Sequence, residues 1–227
     1  MYLIRGQHNL DLFKSRFKDT KLSGTIGNFD GLHLGHQAIL DKIKNNSKKF
    51  ESRTIVFFTE PHASEYFASI SNLDNKIPPR ICSWREKFKL LEKSDIDFAF
   101  FLKFNNSLRT MSPENFITEI LDSINLKSFT VGDDFRFGLD RKGDTDQLRD
   151  WGKKRDILVE NTETILFEGE RVSSTRIRKA LIDNNFKLAE KLLGRPYTFS
   201  GKVVHGQHLG RTINIPTANI WLPKQKL

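Results

Sequence analysis

The most informative segment of the chain is Gly27-Asn-Phe-Asp-Gly-Leu-His-Leu-Gly-His36. The residues that lead into it, Gly24–Gly27, predict a short strand that ends in a turn, and an apolar-periodic helix follows from Gln37 through Ile43. The two histidines therefore lie where a strand passes into the N-terminus of a helix. Backbone N–H groups are unpaired at such an end and the helix dipole is positive there, so this position binds anions.

Glycine and histidine make this turn suitable for a phosphate chain. Gly31 and Gly35 let the backbone approach a ligand closely, and His33 and His36, three residues apart, can reach the same phosphates. The stretch lacks the Gly-Lys-Ser/Thr of a Walker P-loop and the Gly-x-Gly-x-x-Gly of a dinucleotide turn. A zinc site would need three or four ligands, and only His62 and scattered carboxylates could join the pair. The pattern predicts a nucleoside triphosphate site; the plain alternative is a glycine-rich turn with two solvated histidines.

The composition is that of a basic globular protein with ample material for a core. The chain has 227 residues, of which 37% are hydrophobic and 19 are Phe, and its formal net charge is +9. A single cysteine suits a reducing compartment, no apolar run approaches the ~20 residues of a membrane span, and the N-terminus does not have the pattern of a signal peptide. We expect a soluble, cytoplasmic protein with small-molecule substrates, no membrane and no nucleic-acid partner, because the basic residues are scattered and form no aromatic–basic stripe.

Strand and helix patterns alternate along the chain. Apolar strands are predicted at Thr54–Phe58, Phe98–Leu102, Ser128–Val131 and Ile157–Val159, and helices at Trp84–Leu91, from Ser112-Pro113 onward and at Asp146–Lys154. This alternation predicts an α/β fold with a doubly wound parallel sheet. Ligands of such sheets bind beyond the carboxyl ends of the strands, and the histidine turn falls there.

A second helix start carries hydroxyl and guanidinium groups. Ser173-Ser-Thr-Arg-Ile-Arg178 precedes an apolar-periodic segment, and Ser173 or Ser174 is a natural N-cap. Because arginine binds phosphate oxygens through two parallel N–H groups, this start suits a phosphate site. The alternative is an ordinary capped amphipathic helix with its arginines in water.

Two further segments follow predicted strands. Gly132-Asp-Asp-Phe-Arg-Phe-Gly138 brackets two aromatic rings that could stack on a planar ligand, although Phe135 or Phe137 could equally plug the core. Phe58-Thr-Glu-Pro-His62 ends the second strand, and His62 could contact a phosphate or a ring, or serve only the structure.

The character of the chain changes near residue 185. Phe186–Leu193 predicts a short helix, with Gly194 past its end and Pro196 stopping it, and strand and turn patterns follow. We expect a nucleotide-binding domain over residues 1–184, and over residues 185–227 a linker helix and the first part of another domain.

Four motifs in order resemble those of the prokaryotic bifunctional riboflavin kinase/FMN adenylyltransferase family, also called FAD synthetase. Gly27–His36 resembles its nucleotidyltransferase signature, Ser174–Arg178 its Ser-Thr-x-x-Arg motif and Val131–Gly138 its flavin-side loop. Glu60-Pro61-His62 is similar to a Pro-His-Pro element in which Ala63 replaces the second proline. The resemblance implies a Rossmann-like nucleotidyltransferase that uses Mg²⁺ and converts ATP and FMN to FAD and pyrophosphate.

The resemblance also assigns roles to individual residues. The catalytic contacts to the ATP phosphates would be made by His33, His36 and Arg178. The other ATP-binding residues would be Gly27, Asn28, Phe29, Asp30, Gly31, Gly35, Ser174 and Thr175. The flavin side would include His62, Asp134, Phe135 and Phe137.

The C-terminal residues resemble the opening of a riboflavin kinase domain, which is a β-barrel. Gly201–Gly206 and Pro216-Thr-Ala-Asn219 are similar to its first motifs, which would put Thr217 and Asn219 on Mg²⁺ and phosphate, although Asn214 stands where a glycine is usual. The catalytic carboxylate of the family's kinase has no counterpart up to Leu227. We therefore expect this chain to adenylylate FMN and not to phosphorylate riboflavin.

Other functions stay open at this point. Similar turns occur in nucleotidyltransferases for other phosphorylated acceptors, such as pantetheine phosphate or nicotinate mononucleotide, and in class I aminoacyl-tRNA synthetases, whose Lys-Met-Ser-Lys-Ser-like loop is missing here. A regulatory protein that has kept the fold without activity is another alternative, as is a basic nucleic-acid-binding protein. Strongly salt-dependent binding of DNA or RNA without pyrophosphate release would favour the last of these.

Overall fold

The computed structural model describes residues 1–71, 77–206, 214–215 and 217–222. Its central strands are β1 (Tyr2–Arg5), β2 (Leu22–Ile26), β3 (Arg53–Glu60), β4 (Phe98–Lys103), β5 (Leu126–Gly132) and β6 (Leu158–Thr162). They form one six-stranded sheet in the order β1-β4-β3-β2-β5-β6, and every pair in it is parallel. The prediction of a parallel α/β sheet is confirmed.

The helices connect and flank these strands. They are α1 (Leu10–Arg16), α2 (Leu34–Lys49), α3 (Ala63–Ser71), α4 (Trp84–Lys93), α5 (Asn106–Thr110), α6 (Pro113–Phe116), α7 (Thr145–Lys153), α8 (Ser174–Ile182) and α9 (Phe186–Leu193). A π-helical turn, Ile117–Leu121, extends α6. Two small antiparallel sheets pair β7 (Leu166–Phe167) with β8 (Glu170–Arg171) and β9 (Lys202–Val204) with β10 (Asn219–Trp221).

Both faces of the sheet are buried, because successive side chains of a strand point to opposite faces. Phe57 of β3 and Phe100 of β4 join the large cluster that also contains Trp151 of α7. Their neighbours Val56 and Phe58 join a second cluster on the other face, with residues of α2 and α4. Because helices cover both faces of the sheet, these strands have continuous apolar sequences instead of alternating apolar and polar residues.

The order in which the chain adds strands to the sheet reverses at β2. From β2 the chain moves outward to β3 and β4, and it then returns to place β5 on the opposite side of β2. The loops that leave β2 and β5 therefore diverge and open a crevice at the carboxyl ends of these strands. Helix α2 begins at this crevice.

Most predicted elements are present, and the differences have local causes. The N-terminal pair β1 and α1 was not predicted, because β1 is an edge strand whose apolar run stops at Ile4 and α1 spans only seven residues. The Ser112-Pro113 start is confirmed, since the hydroxyl of Ser112 accepts a hydrogen bond from the N–H of Asn115 at 3.1 Å. Gly194 ends α9 with a φ of 69°, as predicted for the residue past a helix end.

Helix α9 lies beyond the proposed domain boundary at residue 184 and packs on α8. Ala189, Leu192 and Leu193 share a buried cluster with Ile177 and Leu181. The pair β9 and β10 follows as a short exposed sheet, consistent with the start of a barrel. Within the described ranges, no helix combines the length and apolar character needed to cross a membrane.

Candidate active site

A cavity of about 960 Å³ opens at the carboxyl ends of the central strands. One part of its wall is polar and comes from the turn after β2 and the start of α8, including Asn28, His33, His36 and Ser174. Another part is apolar and comes from the segments after β3, β4 and β5, including Phe67, Phe104, Leu108, Phe116 and Phe135. The N-termini of α2 and α8 thus meet an aromatic surface in one cavity.

The two histidines of the turn stack on each other at the start of α2. His33 is the N-cap, and its Nδ1 accepts a hydrogen bond from the N–H of His36 at 3.3 Å. The rings lie 3.7 Å apart and are inclined by 15°. Burial lowers the pKa of His33 to about 4, and burial together with the adjacent His33 places the pKa of His36 well below 6.5. Both imidazoles are therefore neutral near pH 7.

The turn itself has an unusual backbone. Phe29 and Leu32 have φ angles of 49° and 42°, in a region that side chains other than glycine seldom occupy, and Gly31 has a φ of 80°. A Cβ at Gly31 would also lie 2.9 Å from Cγ2 of Ile81. The fully buried ring of Phe29 packs in the core. Because such backbone conformations persist only when their surroundings hold them, the contacts around the turn matter.

Side chains from separate helices hold the carbonyl groups of the turn. Nζ of Lys87 in α4 donates to the carbonyl of Asn28 at 2.6 Å, and the hydroxyl of Ser174 in α8 donates to the carbonyl of Asp30 at 2.9 Å. Nε2 of Gln37 in α2 donates to the carbonyl of Leu32 at 2.9 Å.

The carboxylate of Asp30 is the buried anchor of the turn. It accepts hydrogen bonds from the N–H groups of Ile81 and Cys82 at 3.2 and 3.1 Å and from Nη2 of Arg178 at 2.6 Å. Burial opposes its ionisation, but the N–H of Cys82 and the charge of Arg178 lower the pKa of Asp30 below its usual range. Arg178 also donates from Nε to the carbonyl of Pro79 at 2.8 Å.

A buried lysine and histidine lie behind the turn. Lys87 is fully buried, and its Nζ lies 3.3 Å from Nε2 of His62. Burial, and then the charge of Lys87, lower the pKa of His62 to about 4. Lys87 was not among the predicted site residues. It lies four residues before buried Leu91 and three after Trp84, so its place on the apolar stripe of α4 is the signal that could have identified it.

The loop after β5 gives the cavity aromatic and charged groups. The rings of Phe135 and Phe137 lie 5.7 Å apart and nearly parallel, and Phe137 is buried against Phe116. Phe137 thus serves the core as well as the cavity. Asp134 is exposed and pairs with Arg171 at 3.1 Å. No motif marked Phe67, Phe104, Leu108 or Arg109, because single residues after separate strands form no pattern in the sequence.

The predicted site residues fall into three groups. The cavity wall includes Gly27, Asn28, Phe29, His33, Gly35, His36, Asp134, Phe135, Phe137 and Ser174. Asp30, Gly31, His62, Thr175 and Arg178 are near the turn but are not among the residues that line the cavity. Thr217 and Asn219 are exposed on or beside the small C-terminal sheet and are also not in its wall.

The fold and the turn define a class of protein. A doubly wound sheet with a His-x-x-His turn at a helix start, beside a second capped helix start, is a nucleotidyltransferase-like α/β fold.

Comparison with known families agrees with this class. The model of the FAD synthetase family matches residues 16–176, and that of the riboflavin kinase family matches residues 193–227. This chain belongs to the FAD synthetase family.

Curated relatives match along the whole chain. The bifunctional riboflavin kinase/FMN adenylyltransferase of Escherichia coli strain K12 is 40% identical over 226 residues, which cover 99% of this chain and 69% of that protein. The enzyme of the same description from Buchnera aphidicola subsp. Acyrthosiphon pisum is 40% identical over 228 residues, covering 100% and 70%.

A solved structure is also similar. A chain described as a macrolide-efflux protein from Streptococcus pneumoniae has a TM-score of 0.80 and 28% identity, and the match covers 100% of this chain and 71% of that one.

We expect Asp30→Asn to destabilise the fold by about 3–5 kcal/mol, because an amide cannot accept three hydrogen bonds and leaves Arg178 without its anion. Urea unfolding at pH 7.5 measures this change. Asp146→Asn is the matched control, because Asp146 is 83% exposed and its pair with Arg149 contributes less than about 1 kcal/mol. Equal effects of the two substitutions would contradict the anchoring role of Asp30.

Because the histidines of the turn are buried, the stability of the fold should depend on pH. The pKa of His33 is about 4 in the folded chain and near 6.5 in the unfolded one, so the unfolded state binds protons first as the pH falls. Stability should be full above about pH 6.5 and decline toward pH 4. His33→Asn retains an N-cap acceptor and should flatten this decline in urea unfolding. His8→Asn, at an exposed histidine, is the control, and an unchanged slope in His33→Asn would show that His33 is not a source of the decline.

Proposed function

We propose that this chain transfers AMP from ATP to FMN and releases pyrophosphate, forming FAD. The proposal rests on the cavity, whose wall combines the N-termini of two helices with a set of aromatic side chains. Membership of the FAD synthetase family and the named activity of the relatives support it. A volume of about 960 Å³ is at the upper end of ordinary small-molecule sites, as two large substrates require.

The polar wall suits the triphosphate. The N–H groups at the start of α2 and α8 and the side chains of His33 and His36 offer donors and positive dipoles to phosphate oxygens, whereas the hydroxyl of Ser174 already donates to the carbonyl of Asp30. The apolar wall suits the flavin, because Phe67, Phe104 and Phe135 can pack against a planar ring.

The reaction needs positioning more than acid–base chemistry. A phosphate oxygen of FMN attacks the α-phosphorus of ATP and forms a new P–O bond, while the bond from that phosphorus to the oxygen bridging the β-phosphate breaks. Pyrophosphate leaves with the electron pair of the broken bond. A phosphate monoester has its second pKa near ~6, so the nucleophile is largely ionised at pH 7 and needs no general base. Catalysis then rests on alignment and on stabilising the departing charge.

Neutral histidines fit this task. Each neutral imidazole carries one N–H that can donate to a phosphate oxygen, and the arriving negative charge raises its pKa and favours the imidazolium form. Nδ1 of His36 is buried and has no hydrogen-bond partner among the described residues. Because His36 lines the cavity, we infer that its other ring nitrogen, Nε2, donates to a phosphate oxygen of bound nucleotide.

Mg²⁺ would enter with the nucleotide. The carboxylate of Asp30 is engaged by Ile81, Cys82 and Arg178, and the amide oxygen of Asn28 accepts from Thr59 at 3.2 Å. This donor set fits a cation held mainly by phosphate oxygens and water. Bound Mg²⁺ would neutralise charge on the phosphates. We place the reaction in the cytoplasm, where ATP and a reduced Cys82 coexist.

A second reaction is suggested by the match of residues 193–227 to riboflavin kinase and by the bifunctional names of the relatives. Thr217 and Asn219 are the residues that we propose would bind Mg–ATP in this reaction. The expectation from the sequence is that this chain does not phosphorylate riboflavin. Incubation with riboflavin and Mg–ATP, followed by chromatography for FMN, tests it, and FMN above background would overturn that expectation.

The direct test of adenylyl transfer is incubation of the purified chain with Mg–ATP and FMN. We expect equal amounts of FAD and pyrophosphate, measured by chromatography and an enzyme-coupled assay. Pantetheine phosphate and nicotinate mononucleotide serve as competing acceptors. Pyrophosphate release only with one of these, or salt-dependent nucleic-acid binding without any turnover, would overturn the proposal.

We expect His36→Ala to fold normally and to lower kcat for FAD formation at least ~10²-fold, the scale of one lost contact to developing charge. The measurement is steady-state turnover with circular dichroism as a check on folding. His8→Ala, which removes an exposed histidine away from the cavity, should retain its activity. A folded His36→Ala protein with near-normal turnover would remove His36 from the mechanism.

Arg178→Lys should lower FAD formation at least ~10-fold, because one ammonium cannot hold both the carboxylate of Asp30 and the carbonyl of Pro79. Arg176→Lys is the matched control, since Arg176 holds the carbonyls of Phe167 and Glu170 in the β7–β8 turn. A larger loss in the control than in Arg178→Lys would show that the wrong arginine was assigned.

A further inference from the structure

Arg195 connects the segment after α9 to the nucleotide turn. Its Nη2 donates to the carbonyl of Gly31 at 2.6 Å, and its Nη1 donates to the carbonyls of Leu32 and Leu193 at 3.1 and 3.2 Å. The guanidinium is partly buried there, and burial lowers the pKa of Arg195. Arg195 lies within the match to the riboflavin kinase family, whereas Gly31 and Leu32 lie within the match to FAD synthetase.

Gln37 makes a parallel connection. Its Nε2 donates to the carbonyl of Leu32 at 2.9 Å and to the carbonyl of Leu193 at 2.8 Å. Leu193 is the last residue of α9, so its carbonyl has no partner within the helix. Two side chains therefore join the same helix end to the same strained turn.

Close packing fixes this arrangement. A Cβ at Gly194 would lie 2.7 Å from Cδ2 of Leu34, the first residue of α2. Farther along the segment, the N–H and hydroxyl of Ser200 donate to Oε1 of Glu86 at 2.5 and 3.0 Å. Glu86 belongs to α4, which also supplies Lys87 to the carbonyl of Asn28. The segment thus contacts α2 and α4, two of the three helices that hold the turn.

We propose that Arg195 is a positioning residue for the nucleotide site, so that the conformation of the segment leading into the kinase-like region controls ATP binding at the turn. Leu32 has a φ of 42° and Gly31 a φ of 80°, and Arg195 holds the carbonyl groups of both. Without the guanidinium, the turn would populate other backbone conformations. The apparent affinity for ATP would then fall in proportion to the fraction of chains in which the turn is still correctly formed.

The test compares Arg195→Met, Arg195→Lys and the control Arg155→Met in the full chain. Arg155 is a partly exposed arginine that pairs with Asp122 at 2.5 Å. Building on the proposed function, we expect Arg195→Met to raise KM for ATP at least ~5-fold, with KM for FMN and kcat at saturating ATP changed less than ~2-fold. Arg195→Lys should restore part of the affinity, because an ammonium can reach one of the carbonyls. A merely structural role would lower stability without this selective change in KM.

A second measurement separates this inference from the proposed function. Hydrogen exchange should be faster at the amides of Gly31–His36 in Arg195→Met than in the wild type, whatever reaction the chain performs. If the wild type makes no FAD but the exchange changes as expected, the proposed function fails and the positioning role stands. Unchanged exchange at the turn, or unchanged KM for ATP in an active protein, would overturn the positioning role.

The pair Arg195 and Gln37 provides a final check. Because both donate to the carbonyls of Leu32 and Leu193, the effects of Arg195→Met and Gln37→Leu on KM for ATP should not multiply in the double variant. Multiplicative effects would mean that the two side chains act on different structures, and would contradict the shared role.

Discussion

The structure depends on keeping one short turn in a backbone conformation that it would not keep alone. Between β2 and α2 the chain has three positive φ angles within four residues, at Phe29, Gly31 and Leu32. The four carbonyl groups of residues 28, 30, 31 and 32 are each held by a side chain from elsewhere in the sequence or from the following helix. The cost of strain at the turn is offset by hydrogen bonds that only the complete fold can supply.

This arrangement explains why charged groups are buried around a site for anions. Asp30 and Arg178 neutralise each other behind the turn, and Lys87 contacts a carbonyl and an imidazole instead of the cavity. At the turn itself the cavity wall therefore presents helix N-termini and neutral histidines, whereas the charged groups of the wall, such as Asp134 and Arg171, come from other segments. The proposed triphosphate, with Mg²⁺ to neutralise part of its charge, would need donors that are already oriented more than it would need additional protein charge.

The sequence predicts the fold and the position of the site, because both depend on local patterns. Apolar runs such as Thr54–Phe58 show that the sheet is covered on both faces, and the glycines and histidines of residues 27–36 mark the proposed anion site. The roles of Arg178, Lys87 and Arg195 could not be read in this way, because their partners are 148, 59 and 164 residues away. The motif assigned Arg178 to phosphate, whereas its observed partners are Asp30 and Pro79. Direct contact of Arg178 with phosphate stays a prediction.

We propose that the turn between β2 and α2, together with the start of α8, binds the nucleotide. Amide chemical shifts from nuclear magnetic resonance, followed during titration with the Mg²⁺ complex of α,β-methylene-ATP, test it most directly. We expect the largest changes at Gly27–Gln37 and Ser173–Arg176. Changes confined to the β9–β10 sheet, or absent from both of these segments, would contradict it.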